Sequence, residues 1–142
     1  MTSAAEIVYE ARLWLGVSFH HQGRTRSGCD CVGLVGAVAC ACGLVPDGWW
    51  QSEFDPLAGG YGRQPSGGTM QRLCDLFMVR VDAKLQPGQV AMMRFAREPQ
   101  HLAIIADYLH GGLSVIHALA GRGVVEHAID DKWSRRIVGR YL

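Results

Sequence analysis

Apolar residues recur at helical spacing in the first part of the chain and at alternating spacing in the last part. Over residues 4–15, Ile7, Ala11 and Trp14 share one face, widened by Val8 and Leu15, which predicts an amphipathic helix. Ser3 is placed to cap it and Gly16 to end it. Residues 16–28 are polar and punctuated by glycine, and predict a loop. Residues 30–42 are apolar nearly all round (Val32, Leu34, Val35, Ala37, Val38, Ala39), which predicts a central, buried helix stopped by Gly43. Residues 45–68 are rich in Gly and Pro and carry Trp49, Trp50 and Tyr61. They predict a long irregular region, of a length that in a small domain usually serves function. Residues 69–77 predict a short capped helix.

From residue 78 the period changes to two. Strands are predicted over residues 78–81, 89–95, 102–107, 113–118, 123–127 and 137–141, with turns at Pro87-Gly88 and Gly111-Gly112. Helices followed by strands predict an α+β fold, with the helices packed on an antiparallel sheet. There is no internal repeat.

A length of 142 residues predicts a single domain over 1–142, large enough to bury a core without disulfides or a structural metal. The formal charge of +1 argues against a dedicated nucleic-acid binder, and Arg24, Arg26, Arg135, Arg136 and Arg140 are scattered rather than aligned. Glu6, Glu10 and Arg12 interrupt the apolar pattern at the start, so no secretory signal is expected there, and no run reaches the length of a membrane span. The expected site of synthesis is the cytoplasm, with no membrane insertion. An odd count of five cysteines argues against a disulfide framework.

The candidate chemistry centres on Gly28-Cys29-Asp30-Cys31-Val32-Gly33-Leu34. Cys40, Cys42 and Cys74 read as small buried hydrophobes. Zinc held by Cys29, Cys31, Cys40 and Cys42 is disfavoured: each pair is separated by one residue, and positions 40 and 42 of a helix point apart. Two thiols, Cys29 and Cys31, compete for the role of nucleophile. A thiol in the first turn of a helix meets the positive end of the dipole, an argument that favours Cys31 and a thiolate. A base is needed, and there are six histidines. His101 opens one apolar run and His117 closes the next. A hairpin between those strands would bring the imidazoles together, one as base and one orienting it. His110 reads as an exposed turn residue, His127 as structural, and Asp107, Asp130 and Asp131 as turn and surface residues. Trp49, Trp50 and Tyr61 either line a substrate groove or cover the central helix.

These residues resemble a known family. Asp30-Cys31-Val32-Gly33-Leu34 resembles the Asp-Cys-Ser-Gly-Leu/Phe signature of the NlpC/P60 cysteine peptidases, and His101-Leu102-Ala103-Ile104-Ile105 their His-Val-Gly-Ile segment. Ile116-His117-Ala118 resembles the strand bearing their third catalytic residue, and Leu85-Gln86-Pro87-Gly88-Gln89-Val90 the turn before the histidine strand. Trp14-Leu15-Gly16, Phe19-His20-His21-Gln22-Gly23-Arg24 and the segment from Val124-Val125-Glu126-His127 to Ile137-Val138-Gly139 are similar to the phage-type subgroup, found in tail gene clusters and gene transfer agents.

The resemblance implies a papain-like fold and a thiol peptidase that hydrolyses peptidoglycan stem peptides, commonly at the γ-D-glutamyl–diaminopimelate bond. It implies Cys31 as nucleophile, His101 as general base and then acid, and His117 as orienting residue, with no metal or cofactor. It implies a hydrolase associated with a phage or prophage tail, with tail proteins as partners, delivered to the cell wall by the particle. Two departures stand out. Many members carry a Tyr twelve residues before the nucleophile; that position is Phe19, so His20, His21 or Gln22 becomes a candidate substitute. The interval from His101 to His117 exceeds the family's usual one, so a longer hairpin turn is expected. Asp30 and Trp50 complete the candidate substrate-binding or oxyanion set. The alternative is a structural or assembly component of a tail that keeps the fold and does little chemistry.

Overall fold

Ser3 accepts a hydrogen bond from the Glu6 amide, and the Glu6 carboxylate accepts one from the Ser3 amide. This reciprocal capping box starts helix α1 (Ala4–Arg12). The structure, a computed structural model, describes residues 2–58, 60–62, 68–82, 84–95 and 99–142. The helix ends three residues earlier than its apolar pattern predicts. Trp14 and Leu15 bond three residues back, to Ala11 and Arg12, so the chain tightens toward Gly16, at φ +89°. Val8, Ala11 and Trp14 are buried as expected, while the tightened turn leaves Leu15 exposed.

Residues 16–28 are not wholly irregular. They hold a two-stranded ribbon, β1 (Arg24–Thr25) and β2 (Gly28–Cys29). Asp30 then caps helix α2 (Cys31–Ala41) by accepting from the Gly33 amide at 2.8 Å. Within 45–68, two short helical segments replace the expected irregular chain: a π-helical stretch (Trp50–Phe54) and α3 (Asp55–Ala58). Residues 59 and 63–67 of that region lie outside the described residues. Helix α4 (Thr69–Phe77) has its expected bounds and starts from Gly68 in a left-handed conformation.

The sheet has five antiparallel strands, β3 (Val90–Arg94), β4 (Pro99–Asp107), β5 (Leu113–Leu119), β6 (Gly123–Ala128) and β7 (Ile137–Tyr141), in the order β6-β5-β4-β3-β7. The strand expected over 78–81 reduces to one bridge, Arg80 to Tyr141, at the β7 edge. A short helix, α5 (Asp131–Ser134), precedes β7 and is capped by Asp130, so that residue is more than a surface turn residue.

Strand alternation gives the sheet two faces. On one, Ile104, Ala106, Ile116 and Ala118 pack against Val8, Ala11, Leu34 and Val38 of α1 and α2. Full burial of a side chain such as Leu34 contributes roughly 2 kcal/mol. On the other, Ala103, Ile105 and Val115 are covered by Trp133 of α5, Ile129 and Ile137. The α+β layout of helices on an antiparallel sheet is the expected one. No described helix is long and apolar enough to cross a membrane.

Candidate active site

Asp30 organises the start of the central helix. Its Oδ1 caps Gly33, and its Oδ2 accepts from the Gln22 amide at 2.8 Å and the Tyr61 hydroxyl at 2.7 Å. The loop before α2 approaches so closely that a Cβ on Gly33 would lie 1.8 Å from the Gly23 carbonyl oxygen. A glycine two residues after Cys31 is therefore required by backbone contact. It lets residues 20–23 fold over the first turn of α2, with Gln22 in the left-handed region at φ 60°.

The two competing thiols separate cleanly. Cys29 is wholly buried in the core beneath α1 and α2, and its backbone pairs with Ser18 and His20. Cys31 lines a cleft of about 200 Å³ together with Phe19, His21, Asp30, Tyr61, Phe95 and His101. Burial pushes the Cys31 thiol up to about 12, and the Asp30 charge adds to this. Backbone N–H groups of Leu102, Val32 and Cys31 itself act in the other direction. Desolvation thus works against the thiolate that the helix dipole favours. Of the cysteines expected to be buried, Cys74 is buried, Cys42 is half-buried and Cys40 is exposed. All five are free.

The expected hairpin forms, with β4 and β5 paired through Ile104 and Ile116 and joined by a long turn over residues 108–112. Strand β4 starts at Pro99, so His101 is its third residue rather than its first. His101 Nε2 lies 2.8 Å from His117 Nδ1, and both rings are buried. Among the described residues, no hydrogen bond engages Nδ1 of His101. Desolvation holds His101 down at about 4. It lowers His117 further, to about 2, helped by the neighbouring His101, His127 and Arg122. Both imidazoles are neutral at neutral pH.

The other candidates divide. Phe19 and His21 line the cleft. His20 is exposed and bonds the His21 carbonyl through Nδ1. Gln22 acts on the cleft from behind, its amide on Asp30 and its side chain donating to the Tyr61 carbonyl at 2.7 Å. Trp50 does not reach the cleft. It lies on α2 against Gly36, where a Cβ would meet its ring at 2.3 Å, with the Arg24 guanidinium 4.0 Å above it.

Two residues that the sequence left undecided or set aside join the site. Tyr61 lines the cleft and presents its hydroxyl to Asp30. It comes from a region without periodicity, where its aromatic ring marks it for a groove or for the cover of the central helix and the sequence does not choose between them. His127 touches His117, Nε2 to Nε2 at 2.9 Å, and its Nδ1 lies 3.0 Å from the Ala128 carbonyl oxygen. A signal existed here: a turn centred on Gly121 puts 117 and 127 on one face of the β5–β6 hairpin, and the register pairs His127 with Val115. Among the described residues, no group of three or more His, Cys, Asp or Glu is arranged to hold a metal.

The comparisons define the fold class. No protein-family model matches the sequence. No curated protein is significantly similar to it. Among solved structures, the chain is similar to the NlpC/p60 domain of the peptidoglycan hydrolase SagA, at 20% identity and a TM-score of 0.61, covering 99% of this chain and 98% of that domain. It is similar to an NlpC/P60 family protein from Bacillus cereus at 19% identity and a TM-score of 0.67, covering 99% of this chain and 40% of the other. A lipoprotein-like NLP/P60 family protein from Staphylococcus aureus aligns at 16% identity with a TM-score of 0.59, over 97% of this chain and 40% of its own length. The fold is the α+β, papain-like architecture of NlpC/P60 domains.

Proposed function

We propose that this protein is a cysteine peptidase that hydrolyses peptide bonds of peptidoglycan stem peptides. The observation that carries the reading is the joining of Cys31, at the N-terminus of α2, to one cleft with His101, whose Nε2 is held by His117. The geometry supports a simple sequence of steps. The Cys31 S–H proton passes to the free Nδ1 of His101 as sulfur attacks the scissile carbonyl carbon. The resulting oxyanion is stabilised by backbone N–H groups at the helix start, those of Cys31 and its neighbours. His101 returns the proton to the departing amine, leaving a thioester on Cys31. Water, deprotonated by His101, attacks the thioester; the acid is released and the thiol regains its proton. His117 orients the base throughout.

The similarity to the SagA domain, a peptidoglycan hydrolase, supports the substrate class. We assign the γ-D-glutamyl–diaminopimelate bond as the target on the signature at residues 30–34 and the His101 and His117 segments. The likeness of residues 14–16, 19–24 and 124–139 to phage-type sequences supports a tail-associated role, made in the cytoplasm and carried to the wall. A second reading, a tail component with little chemistry, is favoured by Phe19 in place of the usual tyrosine and by the burial that raises the Cys31 thiol. Mass spectrometry of defined diaminopimelate-type and lysine-type muropeptides separates the two. Cleavage by wild type that disappears in Cys31→Ala supports the peptidase. Lack of cleavage on every stem peptide, or full cleavage by Cys31→Ala, overturns it.

A further inference from the structure

His101, His117 and His127 form a continuous row of imidazoles that ends on a backbone carbonyl, and that ending determines where every proton sits. The Ala128 carbonyl oxygen can only accept, so His127 Nδ1, 3.0 Å away, carries a proton. In a neutral His127, Nε2 is then bare and accepts. His117 Nε2, at 2.9 Å, must donate to it. His117 Nδ1 is bare in turn, so His101 Nε2 donates across the 2.8 Å contact. His101 Nδ1 is left without a proton. A thiol base needs that nitrogen free.

We propose that His127, anchored on the Ala128 carbonyl, is a positioning residue that sets the proton direction of the whole row and keeps His101 in the tautomer able to accept the Cys31 proton. The inference rests on the reading of Cys31 and His101 as nucleophile and base. A structural histidine would need only to fill space beside Trp133, whose ring centroid is 4.7 Å from His127 and 5.1 Å from His117. Three contacts in line, each with a compatible donor and acceptor, add a direction that packing alone does not require. The row also runs from a buried base to a half-buried ring, so the charge arising on His101 during attack can spread outward along it.

A second proton on His127 reverses the direction. Its Nε2 then donates, His117 passes its own proton to the Nδ1 side, and His101 is left with Nδ1 protonated and unable to act. The groups around the row bear on that event. His117 itself faces His127, Arg122 adds positive charge near His117, and Trp133 covers the rings with Arg136 stacked 4.5 Å beyond it. Glu126 is turned to the opposite face, onto Arg12 and Ser114. Among the described residues, no carboxylate lies within ion-pair distance of these three rings.

Long-range proton–nitrogen NMR of the uniformly 15N-labelled protein at neutral to mildly alkaline pH reads the tautomers directly, with His→Gln variants assigning the rings. The expected pattern is N–H at Nε2 of His101, Nε2 of His117 and Nδ1 of His127. A proton on His101 Nδ1 or on His127 Nε2 under these conditions overturns the proposal. In His127→Leu the acceptor is gone, and the His101 and His117 signals become those of mixed tautomers. Turnover of a muropeptide falls by about tenfold to a hundredfold with little change in KM, the scale expected when a base is misdirected. His127→Gln, whose Oε1 can accept from His117 Nε2, restores both. Unchanged tautomers in His127→Leu overturn the proposal even if turnover falls. If His127→Leu does not fold, the wild-type spectrum and His127→Gln still decide. The stated tautomers in a protein that cleaves no stem peptide leave the row standing and remove the peptidase reading instead.

Discussion

The Tyr61 hydroxyl donates to Asp30 Oδ2 at 2.7 Å, on the carboxylate whose other oxygen caps the helix that begins with Cys31. One residue of a distant, irregular segment is thereby tied to the start of the helix that bears the thiol. Burial and the adjacent carboxylate raise the Tyr61 phenol, so it stays protonated and remains a donor. It supplies a hydroxyl to a cleft in which Phe19 has none.

Tyr61→Phe removes that donor and leaves Asp30 its two amide partners. The expected loss is about 1–2 kcal/mol of stability, as for a part-buried hydrogen bond to a charged acceptor. Asp30→Ala costs more, about 2–4 kcal/mol, because the cap is lost and the Gln22 amide and Tyr61 hydroxyl lose their acceptor together. Chemical unfolding of the two variants beside wild type measures the order; a Tyr61→Phe loss as large as that of Asp30→Ala would contradict it.

Gly33→Ala places a methyl group 1.8 Å from the Gly23 carbonyl oxygen. The Cβ is fixed rigidly to the helix and the oxygen it meets is backbone, so the loop over α2 must move. The expected cost is about 2–3 kcal/mol, accompanied by loss of turnover because residues 20–23 form the wall around Asp30. Gly43→Ala serves as a control for general glycine loss, since nothing lies within 4 Å of a Cβ there, although its φ of +69° adds local strain. Thermal unfolding and muropeptide turnover together distinguish the two.

Thiol reactivity should follow burial rather than helix position. Cys40 is exposed and Cys31 is held up at about 12 by desolvation. In the resting protein at neutral pH, iodoacetamide is expected to modify Cys40 before Cys31, and the Cys31 rate is expected to climb with pH. Peptide mapping by mass spectrometry after timed quenching reads both. Rapid, selective modification of Cys31 in mild acid would show instead that an ion pair with His101 exists before substrate arrives.

Stability should fall on the acid side through the histidine row. His101 and His117 are held below the ordinary value of about 6.5, to about 4 and about 2, by burial. The unfolded chain therefore binds protons that the folded one refuses. The stabilisation is complete above about pH 6.5 and declines as pH drops through the His101 value, at up to about 1.4 kcal/mol per pH unit for each titrating ring. His101→Gln should flatten that slope. Denaturant titrations at a series of pH values check it; an acid slope equal in both proteins would contradict the assignment.

Much of this arrangement was legible in the residues. The 3.6-residue pattern of α1, the all-round apolar pattern of α2 and the bounds of α4 and β7 follow from local burial preferences, which act over a few residues. Asp30 before Cys31 marks a helix start because a carboxylate satisfies free amides there. The pairing of His101 with His117 follows from two apolar runs around a glycine turn, since antiparallel register is set by the turn and the buried face.

The ribbon at β1 and β2, the π-helical stretch at Trp50–Phe54 and the place of Trp50 against Gly36 depend on partners remote in sequence, and no local period announces them. The sequence by itself determined the main helices, the five strands of the sheet, the helix-then-sheet order and the candidate thiol with its two histidines, because those rest on periodicity, capping and the turn between two apolar runs. Only the tertiary structure decided that Cys29 belongs to the core and Cys31 to the cleft. It also decided that burial works against the helix dipole at that thiol, that Tyr61 joins Asp30 and that His127 joins His117. Desolvation and hydrogen-bond closure depend on every neighbour at once, and those neighbours meet only in the folded chain.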